Sequence, residues 1–141
     1  MKKIAYVLIS LFVVAPLLAK DPDGRLAAAA PPLPTALKTA QTVYLVNAGI
    51  PNRQLDQAVT ALKKWGRFTL VPDAEGSDIT LTLTAQPPRH VGTVGGAAIS
   101  TTTLFMSFTA TTTGTVLYGT TFTGNPESEL RTLQKRMDEE K

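Results

Sequence analysis

No cysteine occurs in the chain, so disulfides, thiol nucleophiles and thiolate metal sites are all excluded. A lipid anchor on a lipoprotein-type cysteine is excluded as well. There is one histidine, His90, so any histidine-based dyad or metal site has to use it. It lies in the breaker-rich segment Gln86–Gly96, QPPRHVGTVGG, with no acidic neighbour in sequence. That setting reads as a solvated histidine in a long mobile loop. Gly92, Gly95 and Gly96 do not make a phosphate loop, because no Lys-Ser/Thr pair follows them. Charge is missing too: Thr80–Ala85 and Ala97–Thr123 contain no Lys, Arg, Asp or Glu. The acidic residues Asp73, Glu75 and Asp78 cluster beside Gly76, where turn chemistry accounts for them without acid–base work. Lys63, Lys64 and Arg67 form a small basic group at a helix end, as the helix dipole favours. Nothing implies a cofactor or a metal, and the expectation is a chain that is not an enzyme.

The first residues carry an address. Met1-Lys2-Lys3 is a positive stretch, Ile4–Val14 is apolar, and Pro16 precedes Leu17-Leu18-Ala19. This is a secretory signal peptide over residues 1–19, of bacterial type, with cleavage expected after Ala19. The alternative is an uncleaved membrane anchor, but Ile4–Ala19 falls short of the roughly 20 residues a spanning helix needs. Loss of Lys2 and Lys3 lowers Lys+Arg from 14 to 12 against 11 acids, near +1. The mature chain therefore has little general attraction for nucleic acid or anionic lipid. A periplasmic or secreted domain without disulfides must be held by its core.

Residues 20–40, KDPDGRLAAAAPPLPTALKTA, are low in complexity, with Pro31, Pro32 and Pro34 close together. They read as a disordered Pro/Ala-rich linker, leaving one domain over residues 41–141. Its organising stretch is Thr42–Val71. Val43–Val46 is a short apolar run, as in a strand buried on both faces. Pro51-Asn52 opens a helix with Asn52 as N-cap. Leu55, Val59, Leu62 and Trp65 form one apolar stripe, and Gly66 ends the helix in the left-handed conformation. The chain restarts at Phe68–Val71. Such a unit is a right-handed βαβ crossover with parallel strands. Trp65 is expected to anchor the helix, at about 3–5 kcal/mol on truncation to alanine.

Asp78–Thr84 alternates, with Ile79, Leu81 and Leu83 on one face and Thr80, Thr82 and Thr84 on the other. Ala97–Ala110 and Thr115–Thr123 read as a hairpin. A three-residue loop, Thr112-Thr113-Gly114 with Gly114 left-handed, pairs Ala110 with Val116, Phe108 with Tyr118 and Leu104 with Phe122. A four-residue loop sets Phe108 opposite Leu117 and turns one apolar set outward. Asn125 caps a last helix with Pro126 at its first position; Leu130, Leu133 and Met137 face the sheet, and the tail RMDEEK is solvated. The order is β-α-β-β-β-β-α. Threonine-rich faces resist burial, so both helices belong on one side of a mixed sheet. The fold class is an α/β two-layer sandwich of the α+β type.

The pattern LKKWGRFTLV, then SDITLTL, then a hairpin turn carrying TG before VLY, then a final helix, resembles a group of exported bacterial α/β domains. They include the TolB N-terminal domain, the curli-secretion lipoproteins and the lipoprotein activators of penicillin-binding proteins, along with small exported proteins of the same layout. This chain departs in having Thr111 and Thr112 where an aspartate is common, and in lacking the lipoprotein cysteine. The resemblance implies a non-catalytic cell-envelope module that binds other proteins; it carries over no site residue.

Two functional readings follow. One is a periplasmic or envelope-associated interaction or assembly module. Its partner surface would be the uncharged band Thr80, Thr82, Thr84, Thr101, Thr103, Thr109, Thr121 and Thr123, supported by Trp65, Leu62, Phe108, Tyr118 and Gly114. The band accepts a partner strand or sheet, or a second copy through a Thr-rich edge or face; threonine is also an ordinary solvent-facing strand residue. The other reading is a small ligand-binding protein or hydrolase that uses the Gln86–Gly96 loop.

Overall fold

The structure is a computed structural model and describes residues 30–141. Residues 1–19, read as the signal peptide, and the first part of the linker lie outside the described residues. The unit Pro32–Lys141 begins with α1 (Thr35–Thr39), β1 (Thr42–Ala48), α2 (Asn52–Trp65), β2 (Thr69–Val71) and β3 (Ile79–Ala85). It continues with β4 (Arg89–Val94), β5 (Ala97–Thr101), β6 (Leu104–Ala110), β7 (Val116–Phe122) and α3 (Pro126–Glu139).

A mixed five-stranded sheet runs in the order β2-β1-β3-β6-β7. β1 pairs parallel with β2 and with β3, so the first two strands and α2 make the expected βαβ unit. β3–β6 and β6–β7 are antiparallel. Val43, Ile79, Leu81, Leu83, Met106 and Phe108 are buried from the sheet, with Leu62 from α2, Leu133 from α3 and Leu37 from α1. All belong to one core cluster, so the helices line one face of the sheet. This is an α/β two-layer sandwich. Among the described residues only one face is covered, and that corrects the reading of Val43–Val46: Val43 is buried, whereas Tyr44 and Val46 are half-buried.

The α2 boundaries follow local chemistry. Gly66, at φ +71°, donates its N–H to the Leu62 carbonyl at 3.1 Å and ends the helix as expected. Asn52 is the first helical residue rather than the cap, and no side chain caps the helix. A different asparagine organises that corner: Asn47 Oδ1 accepts the N–H groups of Gly49 (3.1 Å) and Ile50 (2.9 Å). At α3, Asn125 accepts the Glu127 N–H at 2.9 Å, and Leu130, Leu133 and Met137 are buried.

The expectation of a disordered linker through residue 40 is corrected for its last part. Leu33, Leu37 and Ala40 are buried, and Thr35–Thr39 is helical. Leu33, just before the helix, and Leu37, within it, both reach the core. The chain end holds it: Glu140 Oε2 accepts the Leu33 N–H at 2.7 Å and lies 3.1 Å from Lys38 Nζ. The tail is therefore not simply solvated, and the ordered unit begins before Gln41.

Gln86–Gly96 is not a loop throughout: only Gln86–Pro88 and the turn Gly95-Gly96 lie outside a strand. Arg89–Val94 and Ala97–Thr101 form a separate two-stranded antiparallel sheet. Its two-residue turn is Gly95-Gly96, at φ +59° and +83°, the geometry that matches strand twist in tight hairpins. The arm expected over Ala97–Ala110 is consequently two strands, β5 and β6. Between β6 and β7 the pairs Leu104–Phe122 and Phe108–Tyr118 are as expected. The turn differs: Ala110 N–H donates to Thr115 O at 2.8 Å and Gly114 N–H to Ala110 O at 2.8 Å. Four residues, Thr111–Gly114, make the loop. Thr109 pairs with Val116, not Ala110, and a register shift between Phe108 and Thr109 leaves Leu117 as the extra residue of a bulge. The bulge spares Phe108 from facing Leu117.

Candidate partner surface

The register places the uncovered face of the sheet residue by residue. Tyr44, Thr80 and Thr109 form one row; Val46, Thr82, Ser107 and Gly119 the next; Thr84, Phe105 and Thr121 a third. Thr80, Thr82, Thr84, Phe105, Ser107 and Thr109 are all half-buried, whereas their sequence neighbours Leu81, Leu83, Met106 and Phe108 are buried on the other side. Alternation alone produces this separation, since successive strand residues point to opposite faces. Between the β3 and β7 ends, the surface carries hydroxyls, two aromatic rings and aliphatic groups, and no charge.

Five of the eight singled-out threonines share this surface: Thr80, Thr82, Thr84, Thr109 and Thr121. Thr101 does not, being paired with Arg89 in the small sheet. Thr103 and Thr123 lie beyond the strand ends and line a shallow pocket with Thr121, Phe122, Ser128 and Glu129. Tyr44, Val46 and Phe105 belong to the surface and were missed. For Phe105 the signal was present, because it alternates with the buried Leu104 and Met106. For Tyr44 and Val46 it was hidden inside a continuous apolar run.

One edge of the surface is built from hydroxyls. Thr111 Oγ1 lies 2.9 Å from Ser77 Oγ and 3.0 Å from Thr80 Oγ1. Ser77 is buried and also donates to the Ala74 carbonyl at 3.0 Å. Next to it, the Asp78 carboxylate accepts the N–H of Gln41 (2.8 Å) and of Thr42 (3.0 Å), while Thr42 Oγ1 accepts the Asp78 N–H at 2.8 Å. The Gln41 and Thr42 amides, with the Thr42 hydroxyl, hold the Asp78 carboxyl below the usual aspartate value. Asp78 thus fastens the start of β1 to the start of β3. Asp73 accepts the Gly76 N–H at 3.3 Å, a turn contact.

Beneath the sheet stand the supporting residues. Leu62 and Phe108 are fully buried. Tyr118 is half-buried, with its ring 6.3 Å from that of Phe108 and the Arg136 guanidinium 5.9 Å from its centroid. Burial, then the nearby Glu129 carboxylate, pushes the Tyr118 hydroxyl up from its ordinary pKa. Gly114 sits at φ +68°. Trp65 is only half-buried: its ring meets Phe68 edge-on at 5.1 Å and 83°, at the end of α2. Leu62 and Ala58, not the indole, are the buried residues under that helix.

Among the described residues no three of His, Cys, Asp and Glu gather to hold a metal ion, and no helix is long and apolar enough to cross a membrane. No protein-family model matches the chain. No curated protein matches it either. Among solved structures, the chain is similar to lipoprotein GNA1162 from Neisseria meningitidis at 11% identity and TM-score 0.40, covering 70% of this chain and 96% of that one. It is similar to the PelC dodecamer from Paraburkholderia phytofirmans at 12% identity and TM-score 0.40, covering 78% and 90%. It is similar to TolB from Acinetobacter baumannii at 14% identity and TM-score 0.42, covering 68% of this chain and 26% of that one. These likenesses are distant.

Proposed function

We propose that the chain is an exported, envelope-associated protein that performs no reaction and binds another protein through the uncovered face of its sheet. The observation that carries this reading is the charge-free row structure of Tyr44, Val46, Thr80, Thr82, Thr84, Phe105 and Ser107. A solvent-facing sheet ordinarily mixes in Lys and Glu, and large charge-poor apolar areas mark interaction sites. The apolar stretch after Met1-Lys2-Lys3 supports export. Within Gln86–Gly96, the tight β4–β5 hairpin brings no acidic residue to the strand segment that bears His90, so the ligand-binding or hydrolase reading gains no support.

The test uses lysines at two central positions. Thr82→Lys and Thr84→Lys each place a cation on the face without touching the buried side. Either change is expected to abolish capture of the partner from envelope extract while leaving Tm nearly unchanged. Thr103→Lys, outside the face, serves as the control that keeps binding. Capture that survives both central changes refutes the reading.

A further inference from the structure

The outer edge of β7 is a second surface, distinct from the open face. β7 ends the sheet and has β6 on one side only, among the described residues. Its direction of hydrogen bonding follows from its neighbours. Thr111 N–H donates to Asp78 O at 3.1 Å, toward β3, and Ala110 N–H donates to Thr115 O at 2.8 Å, toward β7. Along β6, even-numbered residues therefore bond toward β7 and odd-numbered ones toward β3. Tyr118 and Thr120, opposite Phe108 and Met106, spend their backbone groups on β6. Gly119 and Thr121 present theirs outward. The strand Val116–Phe122 contains no charge and no proline, two of the usual devices that keep an edge from pairing. Its one guard is the bulge at its start.

We propose that two copies of this chain pair β7 to β7 in antiparallel fashion about a two-fold axis at Gly119, making one continuous ten-stranded sheet. Gly119 is the midpoint of Val116–Phe122, so this register is the one that overlaps all seven residues. It puts Gly119 opposite its counterpart, with N–H and C=O exchanged in both directions. Tyr118 then stands opposite the other copy's Thr120. Charge agrees on the helix side. Arg136 lies over Tyr118 and Glu129 Oε2 is 3.4 Å from Thr120 Oγ1, so the two-fold sets the Arg136 region of each copy against the Glu129 of the other. On the open side, the absence of a side chain at Gly119 lets the two Phe105 rings approach. The pairing goes beyond the partner reading of the open face and survives its failure, because edge and face are different surfaces.

Sedimentation of the full chain, as isolated from the cells that express it, gives the mass. The expected result is a dimer. Thr121→Pro removes an outward N–H, a change edge strands tolerate, and is expected to halve the mass with Tm nearly unchanged. Glu129→Lys should weaken the dimer, and adding Arg136→Glu should restore it. A wild-type monomer, a dimer that persists in folded Thr121→Pro, or a dimer lost in Thr82→Lys instead would each overturn the proposal.

Discussion

Glu140 accepts the backbone N–H of Leu33 at 2.7 Å across 107 positions of sequence. The same carboxylate lies 3.1 Å from Lys38 Nζ and 3.4 Å from an Arg136 nitrogen. The last turn of α3 and the segment leading into α1 are thereby tied together over the buried Leu33 and Leu37. The Leu33 N–H, with Lys38 and Arg136, holds the Glu140 carboxyl below its ordinary value. Its contribution is present above the unfolded value of 4.5 and is lost as pH falls through the lowered folded value. Glu140→Gln is expected to speed amide exchange at Leu33 and Leu37 near neutral pH while leaving the protection of β3 and β6 in place. Equal protection of Leu33 in both proteins would show that the tie is unimportant.

Asp78 acts in the same direction at the other end. Its pKa is lowered by the Gln41 and Thr42 amides, so its stabilising effect exists above the unfolded value of 3.8 and fades as pH drops through the lowered folded value. Asp78→Asn should therefore lower Tm at pH 7 and flatten the fall of Tm between neutral and acid pH. Parallel Tm–pH curves for the two proteins would contradict the assignment.

Phe105 covers Gly119. A Cβ built on Gly119 would meet the ring of Phe105 at 3.1 Å, closer than ordinary contact. Gly119→Val is expected to destabilise by about 1–3 kcal/mol through overcrowding. Adding Phe105→Ala should recover part of that loss, and a double-mutant cycle by urea unfolding reads the coupling. Additive effects would mean the ring does not lie there in solution.

The helix anchor can be ranked by truncation. Leu62 is fully buried and Trp65 is half-buried. Leu62→Ala should cost about 2–5 kcal/mol. Trp65→Ala should cost less, near 1–3 kcal/mol for partial removal of apolar area from water. Denaturant midpoints with unchanged m-values check the order.

Much of the layout was legible because it depends on neighbours in sequence. The alternation through Ile79–Thr84 sorted core from surface, and the Asn125-Pro126 start of α3 and the Gly66 stop of α2 were local chemistry. The Gly95-Gly96 turn is a local signal as well, but the other breakers of Gln86–Gly96 surround it. The β6–β7 loop was misjudged by one residue because a bulge corrected the register afterwards, and no local signal announces a bulge. α1 could not be read. A five-residue helix is unstable alone, and Leu33 and Leu37 are ordered by a core and a carboxylate found only when the chain end returns.

The sequence alone determined which residues seek the core, where α2 ends and α3 begins, and that the sheet has a face empty of charge; each follows from periodicity or from contacts a few residues apart. Tertiary structure alone decided which threonines share that face, that Tyr44, Val46 and Phe105 join them, and that β7 ends the sheet among the described residues. Those facts depend on the order in which distant strands pair, and pairing order is set by how the whole apolar surface is best covered.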